Sequence, residues 1–167
     1  MSTAAETRVY VPMTLPDLLA AAHCGTLCGP GTPAHAVTPV IREWYVTGDL
    51  EELEYAAMLE AAQTSLRRLA LRDAGPWRRV VAAVDVPGRM VTHGGPFRSS
   101  ITIGDVVSID AVVSVHVDEP AAEGTVQRAV SALAAADAGD EDAQFLVGEA
   151  EAYDLLWYDV TEIPHLR

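Results

Sequence analysis

The sequence of 167 residues contains no lysine and no asparagine, and all eleven of its basic residues are arginine. Without lysine the chain cannot form a Schiff base, and it lacks the lysine of Walker-type phosphate loops and of protein kinases. The 24 acidic side chains outnumber the basic ones and give a formal net charge of −13. A charge of this sign and size disfavours binding to nucleic acid or to anionic membranes, so neither is expected as a partner.

Cysteine is scarce as well, because Cys24 and Cys28 are the only two in the chain. Two cysteines are too few for a disulfide framework, so we expect free thiols in a reducing compartment. No apolar run reaches the roughly 18 residues that a membrane span needs, and no signal-peptide pattern is expected at the start of the chain. These features predict a cytoplasmic protein.

A long helix followed by a buried strand organises the middle of the chain. Asp49 and Glu52 have the spacing of a capping box, and an apolar stripe of helical period follows them. A Gly-Pro pair ends the helix, and the uninterrupted apolar run at residues 80–84 predicts a central strand covered on both faces. The stripe expected to face the sheet consists of Tyr55, Met58, Leu59, Ala62, Leu66 and Leu69.

Strand and helix patterns alternate along the rest of the chain. Further strands are predicted near residues 8–12, 35–38, 107–117 and 155–160, and further helices near residues 14–22, 39–45, 118–138 and 141–152. This order predicts an α/β fold, a single-domain sandwich with a mixed four- or five-stranded sheet packed by helices in βαβ-type units. Residues 8–167 are expected to form one globular domain, and residues 1–7 a flexible tail.

Residues 87–105 are rich in glycine and proline and are longer than an ordinary connection. Two interpretations are open: the segment is a functional loop, or it contains a short strand at residues 100–103. In the first case Arg89 and His93 are ligand-binding candidates, because they could close over a neighbouring site.

Four segments resemble an uncharacterised family, a domain of unknown function found in small, acidic actinobacterial proteins. They are RVYVP at Arg8, AVTPVIREWY at Ala36, EELEYAAMLEAAQTSLRRLA at Glu51 and HVDEP at His116. The resemblance runs from about Arg8 to the LLWYDV segment at Leu155, and the long-helix segment is its most specific part. It implies no activity, cofactor or catalytic residue.

Asp85, His116 and Asp118 are the catalytic candidates. Asp85 is near the carboxyl end of the central strand, while His116 and Asp118 end the next strand and point to one face. Because ligands of open α/β sheets bind at the carboxyl ends of strands, these groups could act as acid and base or hold a metal. Asp118 also has the position of an N-cap for the following helix, which is its structural alternative.

Two other groups of residues have side chains of the types found in zinc sites or in nucleophilic catalysis. His23, Cys24, Cys28 and His35 are of the types that bind zinc, but their spacing differs from that of known pairs, and no metal is predicted. Ser99 and Ser100 could be nucleophiles only if His93 or His116 folded beside them. Five aromatic residues are interpreted mainly as core or interface residues: Trp44, Tyr45, Trp77, Trp157 and Tyr158.

The leading functional hypothesis is therefore a cytoplasmic, non-enzymatic interaction or regulatory domain, with a protein partner or a second copy of itself. No cofactor is predicted. The alternative is a small hydrolase or metal-dependent enzyme that uses Asp85, His116 and Asp118, with Arg89 and His93 on a mobile loop.

Overall fold

The computed structural model describes residues 5–167, which contain nine strands in two sheets and five α-helices. The strands are β1 (Glu6–Thr14), β2 (Thr26–Cys28), β3 (Thr32–Ala36), β4 (Arg79–Pro87), β5 (Val91–His93), β6 (Ser100–Ile103), β7 (Val107–Ser108), β8 (Val112–Val117) and β9 (Leu156–Tyr158). The helices are α1 (Leu15–Cys24), α2 (Pro39–Trp44), α3 (Leu50–Leu69), α4 (Glu123–Asp137) and α5 (Glu141–Glu151).

The larger sheet has seven strands in the order β5-β6-β3-β1-β4-β8-β9, and every pairing in it is antiparallel. The predicted α/β class is confirmed, but the sheet is larger than four or five strands and is not mixed. The βαβ-type units are also wrong, because such units require parallel neighbours. The apolar run of β4, which resembles a parallel strand, instead crosses the centre of an antiparallel sheet covered on both faces.

Local capping interactions set the starts of three helices as predicted. The hydroxyl of Thr14 accepts a hydrogen bond from the Asp17 amide at the start of α1. At the start of α2, the hydroxyl of Thr38 accepts from the Ile41 amide. At α3 the complete capping box is present: the Glu52 amide donates to Oδ1 of Asp49 at 2.9 Å, and the Asp49 amide donates to Oε2 of Glu52 at 3.2 Å. These bonds satisfy amides that have no partner within the helix.

Helices cover both faces of the sheet. One face packs against α1, the two-stranded β2–β7 sheet and the 3₁₀ segment Val160–His165, and β4 contributes alternate valines to this core. The other face packs against α2 and α3. The last turns of α3 extend beyond the sheet and pack on the α4–α5 hairpin through Leu66 and Leu69.

The buried face of α3 differs from the predicted stripe. Met58, Ala62, Leu66 and Leu69 are buried as expected, but Tyr55 and Leu59 are exposed. The additional buried positions are Leu53 and three small residues, which let α3 lie close to the strands: Ala57, Ala61 and Ser65. The hydroxyl of Ser65 donates to the Met13 carbonyl at 2.7 Å and accepts from the Val80 amide at 2.9 Å.

Several other boundaries also differ from prediction. Of the two interpretations left open for residues 87–105, the one with a strand at residues 100–103 agrees with the structure, where this strand is β6. The segment holds β5 as well, so it is not a plain loop. The strand predicted over residues 107–117 is interrupted by the 3₁₀ turn Ile109–Ala111, because β7 pairs with β2 rather than continuing into β8. Part of the predicted tail, residues 1–4, lies outside the described residues, and β1 already begins at Glu6.

Candidate functional site

The antiparallel sheet places Asp85 away from His116 and Asp118, the residues with which it was predicted to converge. Val80, near the start of β4, lies opposite Val117 at the end of β8. Asp85 therefore lies at one end of the sheet and Asp118 at the other, separated by most of the length of β4, at about 3.3 Å per residue. Asp85, His116 and Asp118 do not form the common site predicted for them, because that site required the carboxyl ends of both strands to meet.

Asp118 is completely buried in an ion pair with Arg79. Nε of Arg79 donates to Oδ2 of Asp118 at 2.8 Å, and Nη2 donates to Oδ1 at 2.7 Å. The Arg79 amide also donates to Oδ2. Asp118 is consequently not the predicted N-cap: the 3₁₀ turn Pro120–Ala122 begins after Glu119, and α4 follows that turn. Both carboxylate oxygens thus bind Arg79 and not a helix amide.

Asp85 is paired across the sheet with Arg8. The two residues are direct partners on β4 and β1, and Nε of Arg8 donates to Oδ1 of Asp85 at 2.6 Å. Nη2 of Arg8 donates to Oδ2 at 3.1 Å. This bidentate contact neutralises both charges and holds the guanidinium at the edge of a cleft that contains His116.

The cleft lies between α3 and the sheet and consists of two cavities of about 260 and 350 Å³. Both cavities are lined by His116, Tyr55, Met58 and Trp157, so we describe them together as the aromatic cleft. The other lining residues are Arg8, Tyr10, Glu51, Glu54, Leu59, Ala62, Arg79, Ala83, Ser114, Tyr153, Asp154 and Leu155.

Aromatic side chains from separate elements line this cleft. Tyr55 on α3 is 50% exposed and Trp157 on β9 is 60% exposed, whereas Tyr10 on β1 is buried. The Tyr55 hydroxyl donates to Oδ1 of Asp154 at 3.3 Å. Burial, followed by the charge of Glu54, raises the pKa of Tyr10 to about 12, so its phenol stays protonated at neutral pH.

His116 lacks the geometry of an activated catalytic base. Burial, followed by the charge of Arg8, lowers its pKa, so the imidazole is neutral at pH 7. Nε2 of His116 lies 3.4 Å from Oγ of Ser114, which is a long contact. Within residues 5–167, His116 makes no hydrogen bond to a carboxylate that would orient the ring as in a catalytic triad.

The charges left free in the aromatic cleft are negative. Arg8 and Arg79 are each bound to an aspartate. By contrast, Glu51, Glu54 and Asp154 take part in no salt bridge within the described part of the chain. Aromatic faces beside carboxylates attract cations, because the ring faces carry negative charge density. The arrangement is suited to binding an organic cation.

The two ligand-binding candidates of residues 87–105 lie elsewhere. Arg89 is exposed in the 3₁₀ turn after β4, and His93 is exposed at the end of β5. β5 and β8 are five strand positions apart in the sheet, which corresponds to about 24 Å between His93 and His116. Neither Arg89 nor His93 lines the aromatic cleft.

A buried polar network around His35 escaped prediction from the sequence. Nδ1 of His35 lies 2.7 Å from Oγ of Ser99, and Nε2 lies 2.8 Å from Oγ1 of Thr64. The hydroxyl of Ser99 also donates to Oε2 of Glu60, which only accepts, so Ser99 accepts from Nδ1–H of His35. The network joins β3 and the segment before β6 to α3. Its serine and histidine are buried too deeply to serve a substrate.

The hydrogen bonds of this network exclude His35 as a zinc ligand. Both ring nitrogens of His35 are engaged with hydroxyls, so His35 cannot complete a site with His23, Cys24 and Cys28. Cys24 and Cys28 are free thiols, and burial raises the pKa of Cys28. Among the described residues, no three histidine, cysteine, aspartate or glutamate side chains are placed to hold a metal ion.

Comparison with protein families gives a match to the family of unknown function DUF6912 over residues 7–166. The chain belongs to this DUF6912 family. The resemblance seen in the sequence segments is thereby confirmed, and the match includes every residue of the aromatic cleft. No curated protein and no solved structure matches the chain.

The DUF6912 match assigns no activity, so the role of the chain must be argued from its geometry. None of the described helices of this DUF6912 protein is both long and apolar enough to cross a membrane. Sequence patterns did not indicate the aromatic cleft, because Tyr55 and Trp157 are 102 positions apart and each resembles a core residue by its local spacing.

Proposed function

We propose that this DUF6912 protein is a cytoplasmic, non-enzymatic interaction domain formed by residues 8–167, and that its aromatic cleft binds an arginine side chain of a partner protein. One observation carries the proposal. Two exposed aromatic side chains, Tyr55 and Trp157, line a cleft in which the free charges of the described residues are carboxylates.

Arginine fits this environment better than lysine. A guanidinium is planar and weakly hydrated, so it can stack on the Trp157 indole while its N–H groups donate to a carboxylate. Glu54 lies on one side of the cleft and Asp154 on the other, and both are available as acceptors. A lysine ammonium would satisfy the charge but would lose the stacking contact.

The chain already contains this type of contact at another place on its surface. The guanidinium carbon of Arg98 lies 3.6 Å from the ring centroid of Trp44. This internal pair supports the proposal that an exposed tryptophan of this protein can receive an arginine.

Other observations favour an interaction domain over the hydrolase alternative. The antiparallel sheet places Asp85 towards the end opposite Asp118, and each of these two carboxylates is bound by an arginine. Within the described residues, His116 has no carboxylate hydrogen-bond partner to orient it, and its contact with Ser114 is long, at 3.4 Å. The free thiols of Cys24 and Cys28 support a cytoplasmic location, since such compartments keep thiols reduced.

The proposal can be tested by titrating the protein with a hexa-arginine peptide at physiological salt, using calorimetry and amide NMR shifts. We expect binding with shifts at Tyr55 and Trp157, and weaker binding of a hexa-lysine peptide of the same charge. Replacing Trp157→Ala should weaken binding of the arginine peptide about 3- to 30-fold, the range of a cation–π contact.

Matched variants separate a specific site from general attraction to an acidic protein. Trp44→Ala removes a tryptophan of nearly equal exposure, 61% against 60%, and should leave peptide binding almost unchanged. Glu54→Gln should weaken binding, whereas Glu43→Gln makes the same charge change on α2, outside the cleft, and should not. Equal effects of Trp157→Ala and Trp44→Ala, or equal binding of both peptides, would refute the cleft as the site.

A further inference from the structure

The outer face of the α4–α5 hairpin contains an apolar groove that the proposed function does not use. The groove has a volume of about 540 Å³ and lies between the two antiparallel helices. Its floor is formed by the small side chains of Ala132, Ala135 and Ala143, with Leu146 at one side. Alanine at these positions leaves a depression where larger side chains would fill the surface.

A bulky apolar side chain is exposed beside this groove. Phe145 on α5 is 67% exposed. It is three residues after Asp142 and directly before Leu146 in the same helix, and both of these residues line the groove. Exposure of a phenylalanine to water is unfavourable, at about 25 cal/mol for each square ångström of apolar surface. The same hairpin thus carries both a projecting ring and an apolar depression that could receive one.

The polar rim of the groove is complementary to itself. Arg128 lies on the α4 side, while Asp140 and Asp142 lie on the α5 side. Within residues 5–167, none of these three side chains forms a salt bridge, and Arg128 donates only to the hydroxyl of Thr125 at 3.1 Å. A two-fold axis near the groove would bring Arg128 of each copy towards Asp142 of the other, because a symmetric interface pairs each surface with itself.

We propose that this face binds a second copy of the chain, with Phe145 of each protomer inserted into the α4–α5 groove of the other. The interface is small, so the dimer should form and dissociate with concentration rather than being permanent. The net charge of −13 on each chain opposes the association, and salt reduces that repulsion. The surface is separate from the aromatic cleft, and neither proposal depends on the other.

Sedimentation velocity of the full chain, from micromolar to millimolar concentration at physiological salt, tests this inference. The wild-type protein should shift from monomer to dimer, and Phe145→Ala should raise the dissociation constant at least about tenfold, as expected for a central aromatic contact. Leu71→Ala is the matched control, because Leu71 is also an exposed apolar residue, 86% accessible, but lies outside the hairpin.

A charge exchange tests the pairing itself. Arg128→Asp and Asp142→Arg should each weaken the dimer, because each places like charges opposite one another. Asp142→Arg is the discriminating variant, because it makes the net charge less negative and would favour association if only general repulsion mattered. The double variant should restore association. A wild-type protein that remains monomeric, a loss of association in Leu71→Ala equal to that in Phe145→Ala, or a double variant without recovery would overturn the proposal.

Discussion

Leu59 and Leu66 lie seven residues apart on α3, yet they have opposite environments. Leu66 is 1% exposed and packs with residues of α4 and α5, whereas Leu59 is 39% exposed and lines the aromatic cleft. An α-helix has 3.6 residues per turn, so two residues seven positions apart lie on nearly the same face. Their difference arises because the α4–α5 hairpin covers only the last turns of α3.

The two leucines should respond differently to truncation. Leu66→Ala should lower the free energy of unfolding by about 2 to 5 kcal/mol, since it loses buried contacts and leaves a cavity. Leu59→Ala should cost less than about 1 kcal/mol, because its side chain is partly in water already. Urea unfolding of both variants measures this difference, and equal losses would show that α3 is packed differently from the structure described.

The buried pair of Arg79 and Asp118 leads to a second prediction. Asp118→Ala should lower the free energy of unfolding by about 3 to 5 kcal/mol, because a buried guanidinium loses its partner. Asp118→Ser should not restore the loss, since a hydroxyl cannot neutralise Arg79. As a control, Asp17→Ala removes the partner of Arg68 in an exposed pair 3.6 Å apart and should cost less than about 1 kcal/mol. Recovery in Asp118→Ser would instead indicate a helix cap.

His35 should make the protein less stable in acid. Burial lowers its pKa to about 4, although the charge of Glu60 acts in the opposite direction. Below the ordinary histidine pKa of about 6.5, the unfolded chain binds a proton that the folded chain excludes. The stabilisation is therefore complete above about pH 6.5 and is lost progressively as the pH falls towards 4, by about 3 kcal/mol in total.

Comparison with His35→Gln isolates this contribution. The variant should be less stable at neutral pH, because the contacts to Ser99 and Thr64 are disturbed, but it should lose less further stability between pH 6.5 and 4. Urea unfolding at several pH values gives the two slopes, and NMR titration of the His35 ring gives its pKa directly. Parallel slopes in the two proteins, or a ring that titrates near pH 6.5, would contradict the prediction.

The two cysteines should react at different rates. After denaturation without reductant, a thiol reagent should count two free thiols per chain, matching Cys24 and Cys28. In the folded protein, the exposed Cys24 should react first, and Cys28 more slowly, because it is half-buried and burial raises its pKa. Cys24→Ser should remove the fast phase. A denatured count of zero that rises to two with reductant would reveal a disulfide.

Features that depend on a few neighbouring residues were predictable from the sequence. The caps at Thr14, Thr38 and Asp49 were placed correctly, because a side chain and the amide it caps are only three residues apart. The buried central strand was also predictable from its local apolar pattern, whereas the strand at residues 100–103 was only one of two open interpretations. The same local pattern could not show that β5 and β6 pair with each other.

The candidate site was only partly predictable. The imidazole of His116 was recognised, since it stands in an alternating strand, and it does line the cleft. Of its predicted companions, Asp85 lies towards the other end of the sheet, because β4 and β8 are antiparallel. Asp118 is bound by Arg79. Tyr55 and Trp157 were interpreted as packing residues, and the contact of His35 with Ser99 joins positions 64 residues apart. Spacing along one chain carries no information about such distant neighbours.

The sequence by itself determined the acidic net charge, the absence of lysine chemistry and the starts of α1, α2 and α3. The tertiary structure alone decided the direction of the strands, and this choice decided the site. Side chains alternate with the same period of two residues in parallel and antiparallel sheets. The pattern of a strand therefore cannot reveal the direction of the strand beside it. Antiparallel pairing of β4 with β8 separated Asp85 from Asp118, and the packing of α3 across the sheet left Tyr55 and Trp157 at the aromatic cleft.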